Sequence, residues 1–282
     1  GERQMGQIVD AIDSVLSSKQ EELRSHMGAS GIGDECARKI WYAFRWVAQP
    51  KHKPSLMRLF ERGHLEEDRF VGWLKSAGIS VWQNDPETGR QFRFKGYKGH
   101  YAGEIDGVGN GIIPGPYLLE FKTHNDKSFK DIQANKVEMS KPMHYVQMQM
   151  YMGQYQLPRA LYLAINKNND ELYEEVVEFN QAVYDKHLAR AAYLIDAPEP
   201  PPRLNNNPSW FECKWCNFHA VCHLKADVLK NCRTCAHSTP IEDARWMCEN
   251  DSREVPFLSG VIPIALVKEG CSQYHRHPMD TP

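Results

Sequence analysis

The sequence has no long hydrophobic run and no strong excess of charge of either sign. No apolar stretch approaches the ~20 residues that a membrane helix needs, and the polar start GERQMGQIVD lacks the apolar centre of a secretory signal. We therefore expect a cytoplasmic protein without a membrane partner. The formal net charge is -2, from 34 basic and 36 acidic residues, so a nucleic-acid partner would have to be held by a local patch.

The sequence also lacks internal repeats and the dense cysteine framework of a small secreted domain. With 282 residues, 41% of them hydrophobic and 25% charged, the chain is long enough for one α/β core plus a small appended unit. The eight cysteines include C-x2-C pairs, which are typical of metal sites. We interpret them as reduced ligands.

Apolar periodicity predicts helices, then strands, then alternating helices and strands. Helical spacing covers residues 8–16, 36–47 and 55–76, and period two covers ISVWQ, RQFRFKG, YAGEIDGVG and YLLEFKTH. A helical region over residues 129–154, interrupted at Pro142, precedes the strands RALYLAINK and ELYEEVVEF and the helix QAVYDKHLARAAYLI. We predict a core at 1–195, a proline-rich linker at 196–208, a first cysteine segment at 209–226 and a second cysteine module at 227–282.

Two neighbouring strands carry acidic residues toward a common point. In YLLEFKTH, Glu120 and Lys122 are two residues apart and therefore share one strand face. One strand earlier, GEIDG offers Asp106, with Glu104 two residues before it. Carboxylates this close repel each other, and Mg2+ or Mn2+ is the usual means of keeping both ionised. We expect Asp106 and Glu120 to be ligands and Glu104 to be a neighbour of the site.

The third predicted helix supplies another carboxylate. On a helical projection Glu67 falls in the middle of the apolar stripe, between Phe70 and Val71, whereas Glu66 falls at its edge. A carboxylate on a stripe that faces the core is costly unless it is paired or bound to metal. Glu67 is the predicted third ligand, and His64 is an alternative.

Four motifs follow one another along the chain: Gly63 with Glu67, G-x-x-D at Gly103 to Asp106, E-x-K at Glu120 to Lys122, and Q-x-x-x-Y at Gln147 to Tyr151. In this order they resemble the motifs of the RecB-like branch of the PD-(D/E)XK nucleases. In that branch a histidine often occupies the position of Glu67, and the phage recombination exonucleases of the YqaJ type resemble this chain better because they carry a glutamate there.

The resemblance implies a restriction-endonuclease-like α/β core, a mixed central sheet flanked by helices, and a metal-dependent DNA nuclease, with exonuclease the favoured class. Lys122 would position the attacking water or stabilise charge on the phosphate, and Gln147 and Tyr151 would contact substrate or orient the site. The implied ligands of Mg2+ or Mn2+ are Glu67, Asp106 and Glu120.

The implied setting is DNA recombination, repair or phage DNA processing in the cytoplasm of a bacterial or phage-infected cell. The partner would be single- or double-stranded DNA ends, together with a recombination or helicase protein. A non-catalytic DNA-binding or adaptor module with the same fold is the alternative function, and an electron-transfer protein is a third. The sequence leaves the polarity of cleavage and the strand preference open.

One set of cysteines brackets the predicted core. ECKWCNFHAVC has the spacing C-x2-C-x5-C, and one cysteine precedes the linker, an arrangement similar to that of the iron-sulfur RecB-like nucleases, including the CRISPR-associated and AddB-type enzymes. The resemblance implies a [4Fe-4S] cluster with a structural role. The four cysteines are Cys36, Cys213, Cys216 and Cys222. The alternatives are a zinc ion in the same four cysteines, or a site in which His219 or His223 replaces Cys36 as the fourth ligand.

The other four cysteines form a second set. A C-x2-C pair followed by two separate cysteines is typical of a four-thiolate zinc site in a module with little core of its own. His275 and His277 are alternatives to the last cysteine, although a solvated tail is favoured for both. The predicted zinc ligands are Cys232, Cys235, Cys248 and Cys271.

A basic and aromatic stretch, RQFRFKGYKGH at residues 90–100, leads into the G-x-x-D strand. Alternating arginine, lysine and phenylalanine suit phosphate contact and base stacking, and ordinary solvated surfaces explain them equally well. Four lysines between the E-x-K and Q-x-x-x-Y motifs extend the stretch, namely Lys127, Lys130, Lys136 and Lys141.

Overall fold

The computed structural model of the chain describes residues 6–19, 22–250 and 260–279. Within these residues the chain forms nine α-helices and eleven β-strands. The helices are α1 Gln7–Ser18, α2 Ala37–Phe44, α3 Pro54–Ser76, α4 Asp126–Ser140, α5 Pro142–Tyr155, α6 Gln181–Asp196, α7 Phe211–Lys214, α8 His219–Leu224 and α9 Ile264–Val267. The strands are β1 Met27–Gly28, β2 Ser80–Trp82, β3 Arg93–Gly96, β4 Tyr101–Glu104, β5 Gly107–Asn110, β6 Tyr117–His124, β7 Arg159–Asn166, β8 Leu172–Glu178, β9 Ser238–Ile241, β10 Arg245–Cys248 and β11 Val261–Ile262.

A five-stranded mixed sheet forms the centre of the molecule, in the order β2-β5-β6-β7-β8. Strands β6 and β7 are parallel and the other neighbours are antiparallel. The α3 side chains Phe70 and Val71 pack on one face of the sheet against Leu119 of β6, and α5 packs on the other face against Leu118. The predicted mixed α/β architecture, a sheet flanked by helices, is confirmed.

The predicted strand YAGEIDGVG forms two strands in two different sheets. Strand β4 pairs with β1 and β3 in a three-stranded sheet, whereas β5 belongs to the central sheet. A side chain at Gly107 would place its Cβ 2.8 Å from the carbonyl oxygen of Trp82, so the chain needs glycine where it enters the central sheet. Asp106 lies in the gap between the two strands.

The helical region after β6 divides at the predicted proline. Helix α4 ends at Ser140 and α5 begins at Pro142, which occupies the first turn because a proline there loses no helical hydrogen bond. Lys141 stands at the junction.

The C-terminal cysteine module docks on the N-terminal part of the chain. Its strands form a three-stranded sheet, β11-β10-β9, and its residue Trp246 is 1% exposed and lies in the same core as Phe44. Helix α6 includes the first residue of the predicted linker, Asp196, and residues 197–208 contain no helix or strand. Ala197 is nevertheless buried, and its carbonyl accepts a hydrogen bond from Trp41 of α2. No helix in the described residues is long and apolar enough to cross a membrane.

Candidate active site

Glu120 lies in the middle of the central sheet and has no exposed surface. Its Oε1 accepts a hydrogen bond from Nζ of Lys122, whereas its Oε2 is buried and has no partner among the described residues. Burial raises the pKa of Glu120 to about 7. The negative charges of Asp106 and Glu67 also act to raise this pKa, whereas the positive charge of Lys122 acts to lower it. A buried carboxylate oxygen without a donor is costly unless a ligand contacts it.

Lys122 follows Glu120 on the same face of β6. Its Nζ also donates to the carbonyl of Phe121, over 3.1 Å. Burial acts to lower the pKa of Lys122, but the Glu120, Asp106 and Glu67 carboxylates together raise it above its ordinary value. The Lys122 ammonium therefore offsets part of the negative charge of the three carboxylates.

Asp106 reaches Glu120 from the neighbouring strand. Because Gly107 pairs with Leu119, the residue before β5 lies beside Glu120 across the strand pair. Oδ2 of Asp106 accepts a hydrogen bond of 2.7 Å from the backbone N–H of Phe121. This bond holds the Asp106 carboxylate next to the E-x-K motif.

Glu67 approaches the same point from α3. Its side chain is 36% exposed, 3.5 Å from Nδ1 of His64, and burial followed by the charge of Asp106 raises its pKa. The predicted order of burial is wrong, since Glu66 is only 6% exposed and accepts two hydrogen bonds from Arg69. Only the C-terminal half of α3 packs on the sheet, so the apolar residue Phe60 in its N-terminal half is 44% exposed and the buried face is rotated toward Glu66.

Gln147 and Tyr151 lie on the side of α5 that faces the sheet. Tyr151 is 3% exposed and its hydroxyl is hydrogen-bonded to the side chain of Gln147. A Cβ at Gly103 would lie 2.5 Å from the Tyr151 ring, so the glycine of G-x-x-D makes room for the tyrosine of Q-x-x-x-Y. Two of the predicted motifs are thus in contact.

These residues surround a cleft of about 1220 Å³. Five of the six predicted catalytic residues line it, and Glu120 lies beneath its floor. From the basic stretch Gln91 lines the cleft, but Phe94 is buried against Tyr101 and is not free to stack on a base, so that part of the expectation is wrong. Of the four lysines between the motifs, Lys141 lines the cleft.

Two histidines of the cleft wall were missed in the sequence. His124 continues the alternation of Glu120 and Lys122 by one more step along β6, and His144 precedes Gln147 by three residues on α5. Both histidines contact Tyr162 of β7, the residue paired with Glu120 across the sheet. An extended pattern, E-x-K-x-H with H-x-x-Q-x-x-x-Y, was the available signal for the histidines.

The first set of cysteines comes together around one cavity of about 610 Å³, which all four of them line. Burial raises the pKa of Cys216, with Cys36 and Cys222 adding to the effect, while the N–H of Phe218 donates to its sulfur over 3.4 Å and opposes it. His219 also lines the cavity, with its Nδ1 bonded to the carbonyl of Cys213. Four thiols around one cavity are the ligand type that a thiolate-bound cluster takes.

The second set of cysteines also clusters. Burial raises the pKa of Cys232 to about 12, and the other three members, Cys235, Cys271 and Cys248, add to the rise. The expected solvated tail is wrong for His277, which is 4% exposed and bonded to a guanidinium nitrogen of Arg45. His275 is exposed as expected.

No three histidine, cysteine, aspartate or glutamate side chains in the described part of the chain stand in an arrangement that could hold a metal ion. The ligand roles of the carboxylates and cysteines therefore stay predictions. The donor chemistry fits, because carboxylate oxygens suit Mg2+ or Mn2+ and thiolates suit zinc or iron-sulfur clusters. The unpartnered Oε2 of Glu120 is the atom that a divalent cation would satisfy.

No protein-family model and no curated protein matches the chain. Among solved structures, the chain is similar to the crystal structure of SSO0001, with 16% identity, a TM-score of 0.44, and coverage of 78% of this chain and 98% of that chain. It is also similar to an alkaline exonuclease (LHK-Exo) from Laribacter hongkongensis, with 12% identity, a TM-score of 0.44, and coverage of 66% and 90%. The structure of LHK-Exo in complex with dAMP is also similar, with 12% identity, a TM-score of 0.41, and coverage of 66% of this chain and 90% of that chain. These values are low, so the residues of the cleft carry the assignment that follows.

Proposed function

We propose that this chain is a divalent-metal-dependent DNA nuclease of the RecB-like PD-(D/E)XK type, with a restriction-endonuclease-like core, and that it acts on DNA ends. The observation that carries the proposal is the buried, unpartnered Oε2 of Glu120, close to Asp106 and Glu67 at the base of a cleft. Placing three carboxylates together, with Glu120 fully buried, is unfavourable unless a cation binds them, and metal-dependent phosphodiester hydrolysis uses such a bound cation.

Each side chain then has a defined task. The cation would be Mg2+ or Mn2+ held by Glu67, Asp106 and Glu120, and when bound it would supply a water of lowered pKa and charge stabilisation at the phosphate. Lys122 holds a positive charge at the cleft surface, beside Glu120, where charge develops on the phosphate.

Gln147 lines the cleft and is bonded to Tyr151, which it keeps in place. Because Tyr151 is buried against Gly103, movement of α5 would disturb the G-x-x-D strand as well. We therefore assign Tyr151 an orienting task and Gln147 a substrate contact.

A non-catalytic binding module explains these features less well. Such a module would gain nothing from an unpartnered carboxylate oxygen buried at the floor of its cleft, whereas a metal-dependent hydrolase would. The electron-transfer alternative leaves the acidic cleft without a role.

The decisive experiment incubates purified protein with end-labelled single- and double-stranded DNA in Mg2+, Mn2+ or EDTA. We expect cleavage with either metal and none with EDTA. Glu120→Gln should abolish cleavage, while Glu174→Gln, an exposed carboxylate on β8 of the same sheet, should not change it. Cleavage by Glu120→Gln at the parent rate would overturn the site.

We further propose a [4Fe-4S] cluster in the first set of cysteines and zinc in the second. Cys36 precedes α2 and Cys213 lies beyond residues 196–208, so a shared cluster would tie the two ends of the core together. Element analysis of anaerobically prepared protein should find iron and acid-labile sulfide in equal amounts, together with zinc. Zinc without iron would refute the cluster, and Cys216→Ser should remove iron while leaving zinc bound.

A further inference from the structure

Four side chains form a continuous chain of hydrogen bonds along one wall of the cleft. Ser128 Oγ lies 3.0 Å from Nδ1 of His124, whose Nε2 lies 2.8 Å from the hydroxyl of Tyr162. The same hydroxyl lies 3.0 Å from Nδ1 of His144. The two imidazole rings stack with centroids 6.0 Å apart. Ser128, His124 and His144 all line the cleft.

Both imidazoles are neutral near pH 7. Burial lowers the pKa of His124 to about 4, with Lys141 and Lys122 contributing, and lowers the pKa of His144 to about 3, with Lys122, His124 and Lys141 contributing. Lys122 therefore acts on two groups of residues: its charge lowers the pKa of both histidines, and the same ammonium interacts with Glu120, Asp106 and Glu67. The histidine pair adjoins the acidic site at Lys122.

Neutral rings restrict the direction of the hydrogen bonds. Tyr162 has one proton and each imidazole has one, so the bonds from Ser128 to His144 must all run in one direction or all in the other. In one direction His144 presents a protonated Nε2 to the cleft. In the other direction Nε2 of His144 is an acceptor and the Ser128 hydroxyl is free to donate.

We propose that His144 Nε2 donates to a non-bridging phosphate oxygen of the nucleic-acid backbone, next to the phosphate at Glu120 and Lys122. An ionised phosphate oxygen only accepts hydrogen bonds, so its binding selects the direction in which Nε2 is protonated. No residue in the described part of the chain is recorded as a partner of this nitrogen. His124 and Tyr162 are then positioning residues that set the tautomer of His144. This inference deepens the proposed nuclease function and rests on it.

The test measures binding of a fluorescent DNA oligonucleotide to the inactive Glu120→Gln chain by anisotropy, in Mg2+ and over a range of salt concentrations. His144→Ala should weaken binding roughly tenfold, the effect of losing one hydrogen bond to a charged acceptor. Because His144 is neutral, the slope of log Kd against log salt should not change. Lys141→Met should weaken binding and reduce that slope by about 1.

Two conservative variants separate contact from structure. His144→Gln retains an N–H donor and should recover most of the lost affinity. Tyr162→Phe removes only the bridging hydroxyl and should weaken binding several-fold. Tyr117→Phe lies on the same strand as Glu120 and loses a hydroxyl that has no hydrogen-bond partner among the described residues, so it should bind like the parent.

Parent-like binding by a folded His144→Ala chain would overturn the inference, and so would a reduced salt slope, since it would mean a charged contact. Neither result depends on cleavage. If the native chain binds DNA in the predicted way but never cleaves it, the nuclease proposal fails and the inference about His144 stands.

Discussion

Arg45 and Arg233 lie between α2 and the C-terminal module with 1% and 2% of their surface exposed, while Glu120 lies below the cleft with none. The guanidinium of Arg45 donates to the carbonyls of Ala197, Ser238 and Arg233, and that of Arg233 donates to Phe44 and Ser25. Each leaves only its Nε without a recorded acceptor in the described residues. Glu120 leaves one of its two oxygens unpartnered.

The two regions differ in how much of the water around a buried charge the protein replaces. Arg233 stacks over the ring of Trp46 at 3.7 Å, and although burial lowers the pKa of Arg233 to about 9, it stays charged at neutral pH because backbone carbonyls and aromatic faces replace water. At Glu120 the replacement for water is incomplete. The divalent cation proposed above would complete it.

The largest expected contrast comes from Glu120→Gln. The amide removes a buried charge but keeps the volume, so we expect cleavage to fall by at least about a thousandfold while the free energy of unfolding stays equal or increases. Denaturant unfolding and a cleavage assay on the same preparation measure both. If Glu120→Gln lost as much stability as a substitution of a buried arginine, the distinction between the two regions would not hold.

Arg233→Met should have the reverse effect. The carbonyls of Phe44 and Ser25 would lose their donor, and we expect the free energy of unfolding to fall by about 3 kcal/mol. Cleavage per folded molecule should not change. Arg245→Met, an exposed arginine of the same module, is the matched control and should change stability by less than about 0.5 kcal/mol. Equal effects of the two variants would contradict the structural assignment.

Stabilisation by metal should depend on pH through Glu120. Because burial raises the pKa of this carboxyl to about 7, a cation must displace a proton below that pH. The rise in Tm caused by Mg2+ should therefore be small near pH 6 and larger near pH 8, following a change of up to about tenfold in apparent affinity per pH unit. A rise that is independent of pH, or one that persists in Glu120→Gln, would argue against this ligand.

The smallest effect is expected for Glu66→Gln. Glu66 is a buried carboxylate at the same cleft, but both of its oxygens accept hydrogen bonds from Arg69. Cleavage should fall less than about tenfold and stability by about 1 kcal/mol. Loss of cleavage as complete as in Glu120→Gln would show that burial alone, not an unpartnered oxygen, marks the functional carboxylates.

Much of the acidic site could be predicted because it depends on local periodicity. Alternation along β6 placed Glu120 and Lys122 on one face, and Pro142 divided the helical region where the structure divides it. The order of Glu66 and Glu67 could not be predicted, since the part of α3 that meets the sheet depends on a crossing between distant segments. The two histidines were missed because their partner, Tyr162, is 38 residues from one and 18 from the other.

The sequence by itself determined most helices and strands of the core and the strand face with Glu120 and Lys122, because these follow from side-chain spacing within a few residues. The tertiary structure alone decided that YAGEIDGVG divides between two sheets, which brings Asp106 next to Glu120, and that the C-terminal module is built around Trp246 and Arg233 in contact with α2. Burial is the physical reason. Whether a charged group is paired, solvated or left for a ligand depends on what distant segments place around it.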